Sequence, residues 1–273
     1  MISDVLTFLI FWIAILCDSS PVANASEQSH VPHIGFYELK LSKRDPSSTL
    51  LNIQGRLVAE WSHSCHGWSS KQRMVLIMKD LSGKKINSQV NTNTFESLDG
   101  KIYKFFSKSI VGGKVIEEVR GIAKRAARGM PGIATYELPL NRTIKFPGKT
   151  MFPYEHTLSI IDSVKTGTRQ ESGYYFDGSQ PSISPKKSTL MILGKARSPS
   201  EGLGISLGKL TERKWWKVRL ALFSKNKDKI SPEFEMTQDL QDNGVVRKFV
   251  FDYSDFSMTA TLIKIQELEK EIC

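Results

Sequence analysis

Three cysteines and five histidines in 273 residues leave little from which to build a metal or thiol site. His63, Cys65 and His66 are spaced too tightly for a structural zinc site, and no second ligand cluster accompanies them. No Gly-x-Ser-x-Gly elbow presents a serine nucleophile. Gly148-Lys149-Thr150 has the ending of a phosphate-binding loop, but position 143 is Thr where that loop needs glycine. Gly202, Gly204 and Gly208 read as turn and strand packing. Long apolar runs are also missing: none reaches the roughly 20 residues that span a bilayer. These absences leave no expected metal, cofactor or catalytic residue, so the chain reads as a non-enzyme.

The longest apolar run lies at the start. Val5 to Leu16 is interrupted only by Thr7, and Pro21-Val22-Ala23-Asn24-Ala25 follows with small residues. A run of that length before an Ala-x-Ala site predicts a secretory signal over residues 1–25, cleaved after Ala25. The run is preceded by Asp4 and by no Lys or Arg. Cys17 directly follows it, an apolar filler within the signal segment. The alternative, a lipid-modified cysteine, needs a small residue before it and finds Leu16. A chain of 273 residues less the first 25 leaves 248, expected to form a single soluble domain over residues 26–273. Losing Asp4 and Asp18 raises the net charge from +10 to +12. That charge favours anionic partners. For an exported protein these are envelope lipid or acidic glycan rather than nucleic acid.

The rest of the chain alternates with a period of two between turn residues. Ile53, Gly55, Leu57, Ala59 and Trp61 share one face, while Gln54, Arg56 and Glu60 share the other. Similar runs occupy 34–41, 74–78, 86–95, 101–107, 114–119, 134–140, 189–196, 217–223, 233–240, 245–251 and 258–265. About a dozen short strands with no crossover helices between most of them predict an antiparallel sheet. Asp242-Asn243-Gly244 and the segment 79–84 are hairpin turns. One segment departs from the pattern. Leu158, Ile161 and Val164 followed by Gly167 predict a helix over 155–165. The segments 179–188 and 197–204 read as loops.

Few residues then stand out as candidates. Export would leave Cys65 and Cys273, and two cysteines in an oxidising compartment usually pair. Two free thiols, or intermolecular pairing through Cys273, are the alternatives. A bond closing roughly 200 residues would stabilise the fold by about 5 kcal/mol on the chain-entropy model. Lys124, Arg125 and Arg128 form a basic stretch able to touch an anionic headgroup or to serve as a solvated connection. Trp215-Trp216, between Lys214 and Lys217, offers one indole to the core and one to a lipid or glycan surface.

The order of several motifs resembles the EipB family of periplasmic cell-envelope-integrity proteins of alphaproteobacteria. At the start they are His33, Tyr37-Glu38-Leu39, Cys65-His66-Gly67-Trp68 and Gln72-Arg73. In the middle they are Phe146-Pro147-Gly148, Phe152-Pro153-Tyr154-Glu155-His156-Thr157 and Phe176-Asp177-Gly178. At the end they are Pro232-Glu233-Phe234-Glu235, Asp242-Asn243-Gly244-Val245, Asp252-Tyr253-Ser254-Asp255-Phe256 and Cys273. The resemblance implies a mainly β fold, one large curled antiparallel sheet or β-spiral with a packed helix. It also implies a disulfide between Cys65 and Cys273, a periplasmic location, and a role in envelope integrity and stress resistance. It carries no catalytic residues. The expected mode of action is binding of a lipid-like ligand or a periplasmic protein partner. The rival expectation is a glycan-acting enzyme that uses folded-together carboxylates such as Asp177 or Asp252.

Overall fold

The computed structural model describes residues 30–179, 185–202, 206–223, 231–232 and 234–273. Ala25 and Cys17 lie outside the described residues. Fifteen strands and one α-helix organise the rest. The first eight strands are β1 (His33–Arg44), β2 (Leu50–Ser64), β3 (Gly67–Asp80), β4 (Lys85–Ser97), β5 (Ile102–Val111), β6 (Lys114–Arg125), β7 (Gly132–Leu138) and β8 (Arg142–Phe146). Then come β9 (Thr150–Met151), the helix α1 (Pro153–Thr166), β10 (Gln170–Tyr175) and β11 (Lys186–Ile192). The last four are β12 (Trp215–Phe223), β13 (Phe234–Gln241), β14 (Val246–Asp252) and β15 (Phe256–Glu267).

All the strands belong to one sheet, ordered β8-β7-β6-β5-β4-β3-β2-β1-β15-β14-β13-β12-β11-β10-β9. Every pairing is antiparallel except the short β9–β10 ladder. β1 pairs with β15, so the two ends of the described chain meet inside the sheet. The sheet's own edges, β8 and β9, are separated by only Pro147-Gly148-Lys149. A right-twisted sheet of this width curls on itself, and here it forms a nearly closed, barrel-like wall.

The alternation read from the sequence sets the inside of this wall. On β2, Ile53, Leu57 and Ala59 are buried, and their cross-strand partners Met78, Met74 and Gln72 follow the same face. Gly55 fits because a Cβ there would stand 2.1 Å from the Val75 carbonyl oxygen. The turn between β13 and β14 uses Gly244 at φ 84°, a left-handed conformation that glycine adopts without steric cost.

The helix packs within the curled sheet. Pro153 sits at its start and Gly167, at φ 76°, closes its end. Its inward face joins Ile160, Ile161 and Val164 to Leu190, Val218, Leu240 and Val246. Phe152 gives no side-chain cap. Instead Glu96 reaches across from β4, and its carboxylate accepts the backbone N–H of Tyr154 at 2.9 Å and of Glu155 at 3.2 Å. A second core cluster of Tyr103, Phe105, Tyr136, Phe146, Phe152 and Phe176 fills the space beside the sheet edges.

Candidate functional site

A cavity of about 370 Å³ lies inside the curled sheet, against the first half of α1. Alternation delivers its lining from many strands, and the strands differ. β3, β4 and β5 contribute Ser70, Gln72, Thr92, Thr94 and Ser107, a ladder of hydroxyl and amide groups in cross-strand register. β12, β13 and β14 contribute Leu220, Met236, Leu240, Val246, Phe249 and Phe251. Tyr103, Phe105 and Phe106 of β5 and Gln238 of β13 line it too, so the lumen has one side rich in hydroxyl and amide groups and one mostly apolar side.

Its titratable groups are mostly uncharged. Burial pushes His156 down to about 4, and its Nε2 lies 3.1 Å from Ser188 Oγ. Burial also lowers His33, opposed by a ring-nitrogen hydrogen bond to the Val31 carbonyl. Burial drives the Tyr103 and Tyr175 phenols well above their usual range. Asp177 is the single carboxylate among the described lining residues. Its Oδ1 accepts the Ser179 backbone N–H at 2.9 Å and the Ser179 hydroxyl at 2.7 Å. No Lys or Arg belongs to that lining.

One end of the lumen abuts an aromatic nest that sequence reading missed. His30 is 3 % exposed and packs edge-on against Trp61, Trp68 and Tyr154 at ring separations of 5.2, 4.9 and 5.6 Å. Burial, reinforced by His33, holds His30 down at about 3, so its ring is neutral. Nothing local in the sequence marks His30, because its neighbours come from β2, β3 and α1.

A profile of the EipB-like family matches residues 24–269. The chain belongs to the EipB-like family. The cell envelope integrity protein EipB of Brucella abortus (strain 2308) is 30 % identical over 244 residues, covering 88 % of this chain and 85 % of that protein. A crystal structure of a β-barrel-like protein of a domain of unknown function, also from Brucella abortus, superposes with a TM-score of 0.81 at 28 % identity. It covers 88 % of this chain and 99 % of its own. The mainly β, curled single sheet with one helix expected of an EipB-like chain is the fold observed.

The residues singled out from the sequence fall in different places on this EipB-like fold. Cys65, in the β2–β3 turn, and Cys273 form a disulfide with Cα atoms 5.5 Å apart across 208 positions. Trp216 packs inward against the cluster around Ile161. Trp215 departs from the expected open surface. It is on the opposite face yet only 2 % exposed, because the segment 197–202 folds over it. Its Nε1 donates to the Ser198 carbonyl at 3.0 Å, and Arg197, Lys217 and Arg247 surround its ring at 5.0–5.7 Å.

The basic stretch divides similarly. Lys124 is exposed on the outer face of β6. Arg125 departs from a surface role: its side chain is fully buried. It donates to the carbonyls of Gly100 and Thr150 at 2.7 Å each, to Glu155 at 2.6 Å, and stacks over Phe152 at 4.3 Å. Arg128 is 41 % exposed and bonds to the Leu98 carbonyl and to Glu155. These arginines position the helix. Asp252 accepts the Ser257 hydroxyl and does not line the lumen. The two candidate carboxylates of the rival reading therefore do not face one cavity. Among the described residues, no group of three or more His, Cys, Asp or Glu side chains is placed to hold a metal.

Proposed function

We propose that this chain is a periplasmic protein that supports cell-envelope integrity and stress resistance by holding a lipid-like molecule in its lumen. The observation that carries the reading is the two-walled cavity of about 370 Å³ inside the curled sheet. That volume falls within the roughly 300–1,000 Å³ of small-molecule sites. An apolar wall facing a hydroxyl ladder suits a ligand with both kinds of surface. The name of the Brucella relative supports the envelope role, and the signal-like residues 1–25 support export. Among the described residues no helix is long and apolar enough to cross a membrane. We read the lumen as a binding site rather than a catalytic one. Glycoside hydrolysis uses two carboxylates flanking the bond, and Asp177 is single among the described lining residues.

The test is native extraction and mass spectrometry of small molecules that co-purify with the chain from its own periplasm. A stoichiometric amphipath, displaced when Met236→Trp fills the lumen, is the expected result. A ligand-free protein that also fails to take up any lipid probe would overturn the reading. Loss of the gene is expected to raise sensitivity to detergents and cell-wall antibiotics.

A further inference from the structure

The charge of the lumen contrasts with the charge of the chain. The whole sequence carries +10, yet the described lining contains no Lys or Arg and one Asp. That Asp is already occupied by Ser179. The two lining histidines are kept neutral by burial. An anionic headgroup on this wall would find no Lys or Arg among the described lining residues and would share the lumen with the Asp177 carboxylate, a like charge that disfavours it. Neutral hydrogen-bonding groups face the opposite situation. Ser70, Gln72, Thr92, Thr94 and Ser107 form a ladder of donors and acceptors across three neighbouring strands. Such a ladder can satisfy hydroxyls, amides or ester carbonyls at no cost in charge.

Resting on the lumen-binding reading, we infer that the ligand is an amphipath with one slender apolar chain and an uncharged, hydroxyl-bearing head. The head lies along the β3–β5 wall and the chain along the β12–β14 wall. A cavity of about 370 Å³ lies near the lower end of the roughly 300–1,000 Å³ of small-molecule sites, which suits a single-chain amphipath. Acylglycerols and alkyl glycosides share this chemistry. Fatty acids, lysophosphatidic acids and alkyl phosphates do not.

The experiment titrates the mature chain with a matched twelve-carbon series below micelle concentrations. The probes are monolaurin, dodecyl maltoside, laurate, dodecyl phosphate and dodecyltrimethylammonium. Trp61 lines the cavity and provides the fluorescence signal, with calorimetry as a second readout. The neutral probes are expected to bind at least tenfold more tightly than either anion. Monolaurin against dodecyl maltoside then separates an acylglycerol from a glycoside source. Anions binding as tightly as neutral probes would overturn this inference while leaving lumen binding intact. Binding by none of the five would overturn both. Two variants sharpen the result. The paired isosteric change Thr92→Val and Thr94→Val is expected to weaken the neutral probes and leave the anions unchanged. Gln72→Arg places a cation in the lumen and is expected to raise laurate affinity tenfold or more. Failure of Gln72→Arg, in a protein whose circular dichroism and melting are preserved, would count against the charge argument.

Discussion

The fold is closed in two places by different chemistry. Where β2, β3 and the C-terminus meet, the closure is covalent: Cys65–Cys273 spans 208 positions. Where the sheet edges β8 and β9 approach, the closure is ionic: Arg125 bridges Gly100, Thr150 and Glu155 while Glu96 receives the start of α1. The covalent closure acts mainly by restricting the unfolded chain, so it stabilises the molecule without shaping the lumen. The ionic closure acts in the folded state, where it fixes the helix that forms one side of the cavity. Stability and site geometry are thus held by separate devices.

The largest expected effect comes from the covalent side. Replacing Cys65 and Cys273 by Ser should lower unfolding stability by up to about 5 kcal/mol in the chain-entropy account. Because the lumen is built elsewhere, probe affinity should be preserved at temperatures where the variant is folded. Denaturant midpoints with an unchanged ligand titration would meet this expectation. Two free thiols in the unreduced wild-type protein would remove its premise.

The ionic side should behave in the opposite manner. Arg125→Ala leaves Glu155 with Arg128 as its remaining cation and takes the buried donor from the Gly100 and Thr150 carbonyls, which costs about 3–5 kcal/mol. It should also loosen α1 and change the lumen, so ligand affinity falls together with stability. Arg125→Ala that lowers the melting temperature while binding every probe normally would break the contrast.

These two closures were unequally legible in the sequence. The cysteine pair was readable because parity and compartment are properties of the chain as a string. Most strands were readable for a similar reason: Ile53, Leu57 and Ala59 alternate visibly, and the structure buries them. The helix was found within two residues of its observed limits, since Gly167 marks its end. Three strands escaped. β8 is five residues and β9 two, too short for a pattern. β10 hid because its inward residues include Glu171. That carboxylate is tolerated inside only because Ser159 and Ser163 on α1 donate to it at 2.8–2.9 Å. The segment 179–188, expected to be a loop, already enters β11 at Lys186. From the sequence Arg125 reads as a headgroup contact or a solvated connection, because its partners lie 25 and 30 positions away. The lumen has the same difficulty throughout, since its walls come from strands more than a hundred residues apart.

A smaller effect should separate the closures by pH. Glu96 is raised from 4.5 to about 7, chiefly by burial and then by neighbouring Glu155, despite hydrogen bonds from Tyr154 and Glu155 that favour its ionised form. The folded state therefore holds a proton that the unfolded state releases between about pH 4.5 and 7. Stability contributed by Glu96 falls as pH rises through that window, by about 3 kcal/mol overall. Glu96→Gln keeps an acceptor for the helix and removes the titration. Relative to wild type it should gain stability between pH 5 and pH 8. His30 and His156 push the other way. Their folded values of about 3 and 4 mean that stability falls as pH drops below 6.5. The difference between wild type and Glu96→Gln, not either curve alone, is the diagnostic measurement.

The smallest expected effect belongs to neither closure and so calibrates both. Trp215 is buried on the outer face, away from the lumen and from Arg125. Trp215→Phe removes the Nε1–Ser198 hydrogen bond and weakens the contacts with Arg197, Lys217 and Arg247. One hydrogen bond and a weakened cation–π cluster together amount to about 1–2 kcal/mol. The loss should free the covering segment 197–202, raising protease cleavage there, while lumen titrations stay unchanged. An altered probe affinity in Trp215→Phe would mean that the outer face communicates with the lumen through β12, where Trp215 and the core-facing Trp216 are adjacent. The separation of stability from site geometry would then fail on the strand that both faces share.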